Sequence, residues 1–139
     1  MKDYNGFSAQ FRQKQYDKKK ALIASGEMED WSKQPCEICG LRPTRGTLIM
    51  GHCEDYNDLY DNHAVCVECH MKLHRRFKSP LIWINHLIAV QNGYVSKGYP
   101  HAGIYFKAVE ADRVQIHDYT DDITMATSDL GDEWYHKIF

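Results

Sequence analysis

The sequence predicts an α+β domain: a zinc-pinned ββα unit, flanked by an N-terminal helix and by a C-terminal helix with short strands. Three observations predict it. Two CxxC pairs, Cys36-Glu-Ile-Cys39 and Cys66-Val-Glu-Cys69, offer four thiolates. A short apolar run, Thr47-Leu48-Ile49-Met50, reads as a strand between them, and a helical segment carrying His70 and His74 starts inside the second pair. With 139 residues and 43% hydrophobic content, the chain supports one compact domain whose modest core a metal supplements.

The N-terminal segment, residues 1–33, predicts a basic helix from Ser8 to about Ser25. It holds good helix formers, no proline, and apolar or aromatic residues at Phe11, Tyr16, Ala21, Leu22 and Ile23, with Gly26 as its stop. Arg12, Lys14, Lys18, Lys19 and Lys20 lie along it, as either a solvated face or a phosphate-facing surface. The net charge of −2 is unusual for a chain that binds nucleic acid non-specifically, so its distribution matters. Residues 1–33 carry 7 basic and 5 acidic groups, residues 34–78 carry 6 of each, and residues 79–139 carry 4 basic and 8 acidic.

The segment 34–78 carries the metal motifs. Pro35 to Gly40 reads as a zinc knuckle, Glu54 to Asn62 as a polar loop, and Val67 to about Phe77 as a helix. Four cysteines suit a closed structural zinc site; disulfides are the alternative, disfavoured by the expectation of a reducing cytoplasm for a chain that starts without an apolar leader. Cys53 is left over and reads as a small buried apolar residue. On the helix, His70 and His74 are four apart and share a face, where they are either a metal-binding pair or surface histidines. Lys72, Arg75, Arg76 and Lys78 flank that pair, as DNA-backbone contacts or ordinary solvated side chains. His63, His86, His101, His117 and His136 match no ligand spacing and read as surface or satisfied core residues.

The segment 79–139 begins with a strong helix signal. Ser79 is an apt N-cap, Pro80 fits the first turn, and Leu81, Ile82, Ile84, Leu87, Ile88 and Val90 supply apolar faces until Asn92-Gly93. Trp83 is expected to pack against the metal unit. Gly103 to Val109 and Arg113 to Ile116 read as short strands. The acidic run of Asp118, Asp121, Asp122, Asp129, Asp132 and Glu133 ends in Trp134, Tyr135 and Phe139, and is either solvated surface or a surface for a protein partner. No stretch has the length of a membrane span.

His52-Cys53-Glu54-Asp55-Tyr56, Asp61 five positions before Cys66, and Cys66-x-x-Cys69-His70-x-x-x-His74 follow one another in an order that resembles an HNH endonuclease of the ββα-metal, treble-clef type, small phage-type members in particular. The likeness covers residues 34–78, about a third of the chain. It implies a one-metal DNA nuclease acting in a bacterial or phage-infected cytoplasm, with structural Zn2+ at Cys36, Cys39, Cys66 and Cys69. His52 takes the general-base position and Asp61, or its neighbour Asn62, the position that orients the base. His70 and His74, with His52 beside them, take the ligand positions of a catalytic divalent ion such as Mg2+, Mn2+ or Ni2+. Two registers are open at the strand end. With His52 as base, Gly51 supplies no neighbouring ligand and Glu54 or Asp55 is left to assist; with His52 as ligand, Cys53 falls at the base position. The alternative function is a catalytically impaired zinc-binding adaptor that binds a protein through residues 79–139. A homodimer would suit double-strand cleavage, and nothing in the sequence establishes one.

Overall fold

A computed structural model describes residues 1–125 and 129–138. Among the described residues four helices accompany one two-stranded antiparallel sheet: α1 (Ala9–Ala24), β1 (Ile49–His52), β2 (His63–Cys66), α2 (Val67–His74), α3 (Pro80–Gln91) and α4 (Ala102–Glu110). Helix α1 starts where the Ser8 hydroxyl accepts the Phe11 N–H and ends just before Gly26, whose φ of +80° lies where only glycine is unstrained. Its buried stripe is polar: Arg12, Gln15 and Lys19 face the loop after β1, and Gln15 donates to the Tyr56 carbonyl at 2.7 Å. No helix among the described residues is long and apolar enough to cross a membrane.

The first strand lies two residues later than the sequence predicts. Leu48 donates its N–H to the distant Tyr99 carbonyl at 2.9 Å while the Thr47 N–H turns back to the Thr44 carbonyl, so the ladder starts at Ile49. In that ladder Ile49 faces Cys66, Gly51 faces Ala64, and His52 faces His63. Helix α2 is shorter than expected. Beyond His74 the hydrogen bonds tighten to Arg76 N–H→Leu73 and Lys78 N–H→Arg75, a turn that unwinds into the Ser79-Pro80 start of α3. Ser79 occupies the N-cap position of α3, but its hydroxyl makes no capping bond.

The strands expected in the C-terminal segment are absent among the described residues. Gly103 to Val109 is instead the helix α4, capped by His101 Nδ1, which accepts the Ile104 N–H. Ala102, Tyr105 and Ala108 recur at helical spacing and pack toward Tyr99 and Val67, so a cap and a packing partner outweigh the strand propensity of Ile104-Tyr105-Phe106. Residues 113–116 form no regular element. Asp118, Asp121, Asp122, Asp129, Asp132 and Glu133 are exposed. Residues 129–138 nonetheless return to the core through buried Leu130 and a 3-10 turn at Trp134–His136. Phe139 lies outside the described residues.

The core gathers the four CxxC cysteines with Trp31, Ile49, Val65, Leu73, Ile84 and Leu87. Trp83 belongs to it as expected, fully buried, with its indole N–H donating to the Tyr135 carbonyl at 2.9 Å. Gly51 is fixed by packing, since a Cβ there would lie 2.5 Å from Cε2 of Trp31. A Gly51→Ala variant is therefore expected to lose about 1–3 kcal/mol of stability through overpacking, read as a lowered urea midpoint with an unchanged m-value.

Candidate functional site

Cysteine 66 closes β2 and caps α2, and Cys69 follows in the first turn of that helix, facing the Cys36–Cys39 knuckle. The four cysteines are unbridged and buried, with sulfurs within 4.8 Å of one another. Cys39 and Cys66 Sγ are 3.7 Å apart. A tetrahedron with Zn–S bonds of about 2.3 Å has an edge of about 3.8 Å, whereas a disulfide needs about 2.05 Å. The donor set and its spacing fit a structural zinc. Around it, Cys69 Sγ meets His86 Nε2 at 3.2 Å and Ser96 Oγ at 3.4 Å. His86 is thus a satisfied core histidine, and burial pushes its pKa down to about 3.

Directly after Cys69 and one turn further, α2 brings His70 and His74 over the end of β1. Together with His52 they form a second group, again with ligand atoms within 4.8 Å of one another. The Nε2 atoms of His70 and His74 are 2.8 Å apart, the spacing of an N–H···N hydrogen bond; two nitrogens on one ion with bonds of about 2.1 Å stand about 3.0–3.4 Å apart, a small opening of this pair. His52 is 3% exposed and lies edge-on to both rings at 5.2 and 5.0 Å. Burial lowers the pKa of all three: His52 falls despite the Glu54 carboxylate, His70 falls far, and His74 falls to about 3 with help from the charges of nearby His52 and Arg12. All three are neutral near pH 7, the form that binds an ion or takes a proton.

The partner that orients His52 is Glu54. Its Oε2 lies 2.7 Å from His52 Nε2 and 2.6 Å from the Tyr4 hydroxyl, while Oε1 accepts from Arg76 Nη2. Burial works to raise the Glu54 carboxyl, yet His52, Tyr4 and Arg76 together hold it at about 2. An ionised carboxylate only accepts, so the proton of neutral His52 is assigned to Nε2 and the lone pair to Nδ1.

Asp61, expected to orient His52, points elsewhere. Its Oδ2 accepts the N–H groups of Glu54 at 2.9 Å and Asp55 at 2.7 Å, and its Oδ1 meets His63 Nε2 at 2.8 Å. Asp61 therefore shapes the loop that presents Glu54. Asn62 donates to the Leu59 carbonyl at 3.0 Å. Cys53 is buried beside Asp61, and burial raises its thiol to about 11, which suits it to neither base nor ligand near pH 7.

Two of the four cations expected at the DNA backbone are also redirected. Arg76 is 1% exposed because α2 has already ended and its side chain turns inward to Glu54, the Tyr4 hydroxyl and the Lys137 carbonyl. Lys72 is 9% exposed, on the packed face of α2, with Nζ 3.5 Å from His86 Nδ1. Arg75 and Lys78 are exposed.

His63 has more contacts than its spacing announces. Its Nδ1 lies 3.1 Å from both Glu37 oxygens, its Nε2 binds Asp61, and Trp134 stacks on it at 3.9 Å. Trp134 also stacks on His52 at 5.4 Å. The register that places His63 opposite His52 is the signal that, once known, would have marked it. No protein-family model, curated protein or solved structure matches this chain.

Two outcomes are expected. A structural zinc contributes about 10 kcal/mol or more of apparent folding free energy, comparable with the whole stability of a domain. Cys69→Ser is therefore expected to bind less than one zinc per chain and to lose its cooperative melt, as read by metal analysis and circular dichroism. Burial opposes protonation of His63, but Glu37 and Asp61 outweigh it and raise its pKa above 6.5. The stabilisation from this clamp is complete below about pH 6.5 and is lost as pH rises through the raised folded value. The stability gap between wild type and His63→Gln should shrink from about pH 5.5 to pH 8.5 in urea titrations.

Proposed function

We propose that this protein is a metal-dependent DNA endonuclease that hydrolyses phosphodiester bonds by the one-metal HNH route, with His52 as general base. The observation that carries the reading is the convergence of three neutral imidazoles, buried His52 and His70 and half-buried His74, in one cavity beside a four-cysteine cluster. The motif order of the chain supports it, since the histidine at the end of β1 and the histidine pair on α2 meet as that family's chemistry requires. His52, held through Nε2 by Glu54, presents the Nδ1 lone pair to a water. A divalent ion held by His70 and His74 would supply a Lewis acid for the scissile phosphate. Nitrogen donors favour Ni2+ or Zn2+ over Mg2+ and Mn2+, which prefer oxygen.

A zinc-binding adaptor is the second reading. It draws on a cavity of about 370 Å³ between α2, α3 and α4, with Ile82 59% and Ile116 81% exposed at its lining.

The deciding experiment is cleavage of supercoiled plasmid by the zinc-loaded protein with Mn2+, Ni2+ or Mg2+, beside an EDTA control. Ion-dependent nicking is expected, falling by about 100-fold or more in His52→Ala and by a smaller factor in Glu54→Gln. Absence of cleavage with every ion, on double- and single-stranded DNA, would overturn the nuclease and favour the adaptor.

A further inference from the structure

We propose that the cavity beside the three histidines contains a phosphate seat formed by Arg12 and Lys19 of α1, a proposal that deepens the nuclease reading by naming where the substrate's anion is held. The cavity has a volume of about 400 Å³, with β1 as its floor and α1 and α2 as walls. Arg12, Lys19, His52, His70 and His74 all line it.

Arg12 and Lys19 are 8% and 3% exposed, a costly place for a cation that lacks an anionic partner. Among the described residues the ion pairs are His52–Glu54, His63–Glu37, His63–Asp61 and Arg76–Glu54, and neither Arg12 nor Lys19 belongs to one. What holds them is uncharged. Arg12 lies between the rings of Tyr4 and Tyr56, 5.2 and 5.1 Å from their centroids, and donates through Nη1 to the Lys2 carbonyl. Lys19 donates to the Asp61 carbonyl at 3.1 Å and lies 5.6 Å from the Tyr56 centroid. These contacts fix position while leaving the charge uncompensated.

The Nε–H of Arg12 has no hydrogen-bond partner although it is buried. An unmade bond of this kind costs about 1–3 kcal/mol, so the protein neighbours leave the Arg12 guanidinium with an unfilled valence at the wall of the cavity. The neutral histidines bring no negative charge, and an ion bound to them adds positive charge. The cavity is therefore complementary to an anion, and guanidinium donors match phosphate oxygens in geometry as well as in charge. On the same helix Lys14 and Lys18 are exposed and outside the cavity, and Lys20 is exposed at its lining, so the seat is distinct from the general basic character of α1.

The test follows the Arg12 Nε–H resonance by NMR while zinc-loaded protein is titrated with inorganic phosphate, with a thymidine dinucleotide as diester, and with acetate. The resonance should shift with the phosphates at concentrations where acetate has no effect. Arg12→Lys, which keeps the charge and removes the fork, and Lys19→Gln should each weaken phosphate binding about tenfold or more, the worth of one hydrogen bond to a charged group. Lys18→Gln should stay within about twofold. Zinc content and melting temperature check that each variant folds; if Arg12→Lys does not, the wild-type resonance and Lys19→Gln decide. No shift, equal response to acetate, or equal weakening in Lys18→Gln would overturn the seat. Phosphate bound by a wild type that cuts no plasmid refutes the nuclease and leaves the seat standing. Cleavage by a wild type whose Arg12 resonance never responds refutes the seat alone.

Discussion

The four-thiol clamp is the constraint on which the other parts depend. Cys66 ends β2 and caps α2, and Cys69 sits one turn into that helix, so drawing these two sulfurs to the Cys36–Cys39 knuckle fixes the rotation of α2 about its axis. Rotation decides which side chains reach the end of β1. His70 follows Cys69 directly and His74 stands one turn further, so both inherit their direction from the thiolates. The Cys36–Cys39 knuckle is tied to the sheet by the Glu37 N–H→Ala64 bond at 2.8 Å and by the Glu37 carboxylate on the Ala64 N–H at 3.0 Å. Sheet, knuckle and helix are therefore positioned as one body, and the short apolar segments of this chain would bury too little surface to achieve that alone.

Around this frame the chain distributes buried charge unevenly. Arg76 and Glu54 compensate each other, with Tyr4 and His52 taking the remaining valences of the carboxylate. Asp61 and Glu37 are compensated by His63. The histidine cluster is neutral by burial. Its cationic neighbours on α1 have rings and carbonyls around them in place of carboxylates. Polar burial of this kind contributes little to stability in itself, because desolvation consumes most of the attraction. Its effect is orientation: His52 is held at one nitrogen, and the loop after β1 is held at both ends.

The parts of this arrangement that were legible in the sequence are those set by local spacing. The CxxC pairs, the i, i+4 histidines, the start of α3 and the extent of α1 each depend on residues within a few positions of one another, and they appear where expected. What was not legible depends on partners far along the chain. Asp61 and Glu54 are both acidic residues of one loop, and only the fold of that loop decides that Asp61 binds its backbone while Glu54 binds His52. Lys72 and Arg76 look like a basic helix face until the packing of α2 against the core buries Lys72 and the end of α2 at His74 turns Arg76 inward. The run Ile104-Tyr105-Phe106 favours a strand locally, and the His101 cap with the Tyr99 contact makes it a helix.

The motif-bearing segment does not complete the candidate site by itself. Tyr4, from before α1, binds Glu54 and packs on His74 at 4.8 Å. Trp134, near the other end, stacks on His52 and His63 and donates to Glu37 at 3.3 Å. Trp31 occupies the space that a side chain at position 51 would need, so the glycine beside His52 is explained by packing. The indole excludes a second side chain at that position, which leaves His52 as the contribution of the β1 end to the histidine cluster. The three segments that composition separates are thus one structural unit at the site: the middle supplies the histidine cluster, and the flanks determine how deeply it is buried, which holds the imidazoles neutral near pH 7.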